Sequence, residues 1–141
     1  MVIVLDTSGL LAAIDSDQRF HEAAKAALSE ASAPLILSPF VLAELDYLLV
    51  TRVGGDAQLA LLEEVARETY RLAQFSVVDV SKARRIMVQY GDLRISLADA
   101  SNVVLANRYD TLDVLTLDER PFRVLRGPGG HPFRVLPADA G

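Results

Sequence analysis

The sequence predicts an α/β fold in which a central parallel sheet of four to five strands carries helices on both faces. Three observations predict it. Short apolar, β-branched runs alternate along the chain with stretches of helical pattern, as parallel strands require, because each crossover must return to the same edge of the sheet. Apolar residues make up 51% of the chain, enough to fill a core between helices and sheet. No linker-like stretch interrupts the 141 residues, so residues 1–141 read as one domain, with right-handed crossovers.

The elements follow in order. Val2–Leu5 is a buried strand by its unbroken apolar run. Ser8–Ile14 is a short helix, and Gln18–Ala31, rich in Ala, Glu and Lys, a longer one. Leu35–Leu37 is a second strand. Ser38 then caps a helix with Pro39 at its first position, running to about Thr51 and stopping near Gly54-Gly55. Asp56 is expected to cap a helix through about Ala73, before a third strand at Phe75–Val78. Ser81–Tyr90 is helical, with Gly91 in the left-handed position that ends it. Ser96–Arg108 is another helix and Val114–Leu117 a fourth strand. Gly127-Pro128-Gly129-Gly130 makes a turn before a last strand at Phe133–Leu136. Pro-Phe-Arg-Val-Leu occurs twice, at Pro121–Leu125 and Pro132–Leu136, too close together for a solenoid repeat. The two copies need not share a conformation, because five residues do not determine one.

Composition excludes several function classes. Cysteine is absent, which removes disulfide frameworks, thiolate zinc sites and Cys nucleophiles. His21 and His131 are the two histidines, too few for a His-rich metal site. No apolar run approaches the ~18 residues of a membrane span. The N-terminus lacks the basic segment of a signal peptide, so the expected location is cytoplasmic. The net charge of −5 argues against non-specific coating of nucleic acid. It is unevenly spread: residues 1–70 hold 4 bases and 11 acids, residues 71–141 hold 10 bases and 8 acids. Nine of those ten bases are Arg, suited to forked contacts with phosphate or carboxylate.

Four carboxylates stand where charge is costly. Asp6 and Asp118 each follow an apolar strand, so parallel pairing puts both at the carboxyl edge of the sheet, where open α/β folds bind ligands. Glu44 shares a helical face with Phe40, Val41, Tyr47 and Leu48, and Asp99 with Asn102, Val103 and Ala106. An acid on an apolar face is expensive unless it is paired or bound to a cation. Clustered acids raise one another's pKa, and a divalent cation relieves the repulsion. With oxygen ligands alone on offer, that cation is Mg²⁺ or Mn²⁺. Each acid also has a plain structural reading. Asp6 is a candidate N-cap, Glu44 a side chain reaching solvent or an Arg, Asp99 the partner of Ser96 in a capping box, and Asp118 a loop or cap residue.

The chain resembles the PIN-domain ribonucleases, above all the compact VapC-type toxins of type II toxin–antitoxin pairs. The resemblance rests on Val-Leu-Asp6-Thr-Ser, Leu-Ser-Pro-Phe-Val-Leu-Ala-Glu44-Leu, Leu-Ala-Asp99-Ala-Ser-Asn-Val-Val-Leu-Ala and Leu-Thr-Leu-Asp118-Glu-Arg-Pro-Phe, in this order over roughly residues 2–137. It implies a PIN-like fold, RNA cleavage dependent on Mg²⁺ or Mn²⁺, a small antitoxin partner and a homodimer. By motif, Asp6, Glu44, Asp99 and Asp118 are the expected catalytic acids, with Asp6, Asp99 and Asp118 as metal ligands. Thr7 and Thr116 match the positions that orient them.

Other residues are weighed beside these. Asp46 points away from Glu44, Asp79 is expected to cap a helix, and Asp92 is a candidate outer acid. Arg84, Arg85, Arg94 and Arg120, together with Arg123 and Arg126, are candidates for RNA phosphate contact, against a solvated face or intramolecular pairing. Leu42, Leu45, Leu49, Leu59, Leu62 and Val65 are read as core, with some available to a dimer or antitoxin surface. A haloacid-dehalogenase-type phosphatase needs a second Asp at position 8, where this chain has Ser. A non-catalytic PIN-fold module binding RNA or protein is the remaining alternative, and it leaves the clustered acids unexplained.

Overall fold

The computed structural model describes residues 2–31 and 34–141. Ile3–Leu5 (β1) forms the middle of a five-stranded sheet, flanked by Leu35–Leu37 (β2) and Asp113–Leu115 (β4). Arg71–Leu72 (β3) and Arg134–Leu136 (β5) are the edges, giving the order β3-β2-β1-β4-β5 with every pairing parallel. Among the described residues seven α-helices connect them: Thr7–Ile14 (α1), His21–Glu30 (α2), Pro39–Arg52 (α3), Gly55–Ala66 (α4), Val77–Gln89 (α5), Leu97–Arg108 (α6) and Glu119–Val124 (α7).

The strands are short and apolar because both faces are covered. Alternate residues feed opposite cores. Val4, Ile36, Val114 and Val135 pack with α5, α6 and α7, where Phe122 meets Phe133 edge-on at 5.8 Å. Ile3, Leu5, Leu37 and Leu115 pack against the apolar faces of α1, α2, α3 and α4. The middle of α6 is buried all round, from Ala100 to Ala106, so this helix runs through the protein as an internal strut.

Local chemistry corrects several expectations. The third strand is β3, not Phe75–Val78, and α4 ends at Ala66 rather than Ala73. Glu68 adopts φ 64° just after the helix, and the chain turns there into β3. Val77 and Val78, which suggested a strand, are exposed (Val77 by 85%) and open α5. A reciprocal capping box between Ser76 and Asp79 starts that helix, so Asp79 acts as its third residue. Phe75 instead packs edge-on against Phe40 at 5.1 Å. Asp56 is not a cap either: Gly54 holds that position and Asp56 lies in the first turn of α4. Gly91 opens a 3-10 turn over Gly91–Leu93, and the left-handed residue is Arg94, at φ 54°. On α4 the buried residue is Leu61, whereas Leu59 is 64% exposed and Leu62 also faces solvent.

The repeated pentapeptide takes two conformations. Pro121 to Leu125 lies on and just after α7, and Pro132 to Leu136 leads into and forms β5. Pairing with β4 makes the second copy a strand, while Asp118 at the cap position precedes the helix of the first.

Candidate active site

Because β1 and β4 are adjacent and parallel, the residues after each emerge side by side at the carboxyl edge. Asp6 follows β1, and its amide donates to Leu115 O across 2.9 Å. It occupies the N-cap position of α1, yet its side chain does not cap the helix. The carboxylate is held elsewhere. Thr116 Oγ1 donates to Asp6 Oδ2 at 2.7 Å, and Asn102 Nδ2 donates to Asp6 Oδ1 at 3.3 Å. Asn102 also reaches the carbonyl of Leu5, so α6 is tied to the end of β1.

Thr116 spends its proton on Asp6, so the 3.1 Å contact with Ser8 Oγ is donated by Ser8. Leu117 N donates to Ser8 Oγ at 2.9 Å, and Asp118 N donates to Thr116 Oγ1 at 3.0 Å. One hydroxyl network thus sets the backbone that carries Asp118. Gly9 lets α1 approach this closely: a Cβ there would lie 2.5 Å from Leu115 O.

Asp99 serves two purposes. Its Oδ2 accepts from Ser96 N while Ser96 Oγ accepts from Asp99 N, a complete capping box at the start of α6. The same residue lines a cleft of about 320 Å³ together with Asp6, Glu44 and Asp118. The helices bearing Glu44 and Asp99 are joined by a buried bond, Ser38 Oγ to Ser101 Oγ at 2.7 Å. Glu44 itself is exposed. Of its expected helical neighbours Tyr47 is exposed too, whereas Val41 is buried and Phe40 and Leu48 pack against the core, so Glu44 stands where the core face of α3 gives way to the cleft.

All four acids predicted from the sequence therefore line one cleft. Thr7 lines it as well, and Thr116 backs it through Asp6. Asp92 does not: it lines a separate depression with Val88 and Val124. None of Arg84, Arg85, Arg94 or Arg120 lines the acid cleft. Arg120 donates to Leu93 O, Arg123 pairs with Glu119 and Asp139, and Arg126 donates to nearby carbonyls. His21 Nδ1 lies 2.7 Å from Ala12 O, a structural contact. Sequence reasoning missed Arg52, the one basic side chain lining the cleft among the described residues. Its signal was spacing: Glu44, Leu48 and Arg52 recur every four residues on one face of α3. It also missed the part of Asn102, visible only as a polar residue one turn after Asp99.

The electrostatics reflect concentrated negative charge. Burial pushes the Asp6 carboxyl up to about 7, the charges of Asp99 and Glu44 add to this, and the Thr116 bond opposes it. Burial also raises Asp99, helped by Asp118 and Glu44 and opposed by the bonds to Ser96. Among the described residues, Thr7 Oγ1 and Asn102 Oδ1 are buried without a hydrogen-bond partner. Also among them, no three acidic or histidine side chains form a ready metal cage by themselves. The donor set is nonetheless all oxygen and strongly anionic. It suits Mg²⁺, which commonly takes one or two carboxylates and keeps several waters.

The PIN-domain family model matches residues 3–127. The chain belongs to the PIN-domain family. Ribonuclease VapC26 of Mycobacterium tuberculosis is 47% identical to this PIN domain over 135 residues, 96% of this chain and 100% of the relative. Among solved structures, VapC20 of Mycobacterium tuberculosis, described as a sarcin–ricin loop cleaving toxin, superposes with a TM-score of 0.77 at 22% identity, covering 82% of this chain and 89% of its own. VapBC2 of Rickettsia felis, bound to a DNA fragment from its promoter, gives a TM-score of 0.68 at 16% identity, covering 96% and 98%. At those identities the two structures establish the PIN fold, and the expected architecture is the observed one. Among the described residues of this PIN domain, no helix is long and apolar enough to cross a membrane.

Proposed function

We propose that this PIN domain is an endoribonuclease, the toxin of a toxin–antitoxin pair, that hydrolyses RNA phosphodiester bonds with the help of Mg²⁺ or Mn²⁺. One observation carries the reading: Asp6, Glu44, Asp99 and Asp118, drawn from four separate stretches of chain, line a single cleft at the carboxyl edge of the sheet. A fold has no packing reason to gather repelling acids; burial is the main reason the Asp6 and Asp99 carboxyls are raised, and the neighbouring acids add to it. The 47% identical relative named a ribonuclease supports the reaction class.

In this reading Asp6, Asp99 and Asp118 hold the cation. When bound, it would offset the charge of the substrate phosphate and make a water more acidic. Thr116 and Asn102 keep the Asp6 carboxylate aimed into the cleft. Glu44, lining the same cleft and open to solvent, orients the attacking water through its carboxylate and accepts its proton. An antitoxin partner fits the VapBC complex among the structural relatives, and exposed Tyr47, Val50, Leu59 and Leu62 give α3 and α4 apolar surface for it or for a second copy of the chain.

The test is RNA cleavage by the purified protein with Mg²⁺ or Mn²⁺ against a chelator control. Cleavage is expected only with metal, and its loss is expected in Asp6→Ala and Asp99→Ala. Equal cutting by these variants, or by chelated protein, would refute the proposal. No cutting by wild type under any metal would leave the non-catalytic binding module.

A further inference from the structure

A second depression, of about 180 Å³, adjoins the acid cleft. Phe20, Ala23, Leu117, Glu119 and Pro137 line it. Leu117 lines the acid cleft too, and Thr116, whose hydroxyl holds Asp6, backs the new depression. The two hollows therefore meet at Leu117, which lines both, with Thr116 lining the new depression and bonded to Asp6 of the cleft. On the other side Gln18 lines the acid cleft, two residues from Phe20.

Phe20 is an unusual residue. It is 52% exposed and adopts φ 68°, a left-handed conformation costly for an aromatic residue. Such strain persists where the surrounding structure imposes it, and it gathers at ligand-holding positions. The Arg19 guanidinium lies 4.9 Å from the centre of the Phe20 ring. An exposed ring bearing a guanidinium is one way proteins hold single-stranded nucleic acid by base stacking.

We infer that the Phe20 hollow is a base pocket, which takes the nucleobase adjoining the RNA phosphate that enters the acid cleft. This rests on the endoribonuclease reading above. A base is joined to its phosphate through one ribose, so its pocket must abut the phosphate site, as the meeting at Leu117 provides. The Phe20 ring face not covered by Arg19 supplies the stacking surface, Ala23 and Pro137 the apolar sides, and Arg19 a positive charge on the ring's other face. Because stacking is tolerant of base identity, the pocket positions the strand more than it reads sequence.

The experiment is methyl NMR of the full chain, following Ala23 during titration with AMP, CMP, GMP and UMP, with inorganic phosphate as control. The Ala23 methyl is expected to shift with nucleotides and not with phosphate. Binding by this readout should weaken about tenfold in Phe20→Ala and persist in Phe20→Trp. In RNA cleavage the same Phe20→Ala change should raise KM by a similar factor with kcat largely kept. An Ala23 signal that no nucleotide moves, that phosphate moves equally, that shifts only with protein concentration, or that responds unchanged in Phe20→Ala would overturn the pocket. Should wild type cut no RNA while Ala23 still reports Phe20-dependent nucleotide binding, the nuclease reading fails and the pocket stands.

Discussion

Thr116 donates its hydroxyl to Asp6 across 2.7 Å, joining residues 110 positions apart in the chain at the ends of two neighbouring strands. The same oxygen accepts from the amide of Asp118 and from Ser8, so one side chain positions two of the four acids. Replacing it by valine keeps the shape and removes every one of these bonds. Thr116→Val is expected to cost about 1–3 kcal/mol, since buried partners are left unsatisfied. RNA cleavage should fall in kcat, and Thr116→Ser should restore it. Urea denaturation and steady-state cleavage would check both.

Asp6 makes stability depend on pH with a definite sign. Its folded-state pKa of about 7 lies above the ordinary 3.8, so the native state binds this proton more tightly than the unfolded chain. The contribution favours folding below the unfolded pKa and is lost as pH rises from about 4 to about 7. Asp6→Asn is therefore expected to be more stable than wild type at pH 8 by up to about 4 kcal/mol, and to lose that advantage near pH 4. Mg²⁺ or Mn²⁺ should raise the Tm of wild type and not of Asp6→Asn. A pH series of thermal melts with and without metal measures both effects.

Asp139 has the opposite sign. It accepts from both terminal nitrogens of Arg123 at 2.7 and 2.8 Å and from Val135 N at 2.8 Å, and these bonds hold its carboxyl down to about 2. Its stabilising effect is present above the unfolded pKa and lost as pH falls from about 4 to about 2. Wild type should exceed Asp139→Asn in urea midpoint at pH 7, and the two curves should converge near pH 2. A gap that persists there would show that packing, not charge, ties the C-terminal residues to α7.

Gly9 tests the seam between α1 and β4. A methyl group at this position meets the Leu115 carbonyl at 2.5 Å, and the backbone there cannot yield without moving a central strand. Gly9→Ala is expected to cost about 1–3 kcal/mol or more. Cleavage should fall with it, because Ser8 and Asp6 sit on the same segment. Calorimetry of the variant beside wild type would measure the loss.

The alternation of apolar runs with helical patterns was sufficient to read the parallel sheet, and the four acids were visible as charges at strand ends and on helices. Those signals are local: burial of a strand and the period of a helix are written within a few neighbouring residues. Ser76-x-x-Asp79 was just as local, and it outweighed the β-branched pair Val77-Val78 that suggested a strand. What the linear pattern could not supply was distance. That the Asp6 side chain, at the N-cap position, would turn from the helix to Thr116 and Asn102, that Glu44 would face solvent, and that Arg52 rather than the later arginines would reach the cleft depended on how strands and helices pack. The two copies of Pro-Phe-Arg-Val-Leu make the reason plain: identical residues become a helix after Asp118 and a strand beside β4, because the partners offered by the rest of the fold outweigh the small preferences of five residues.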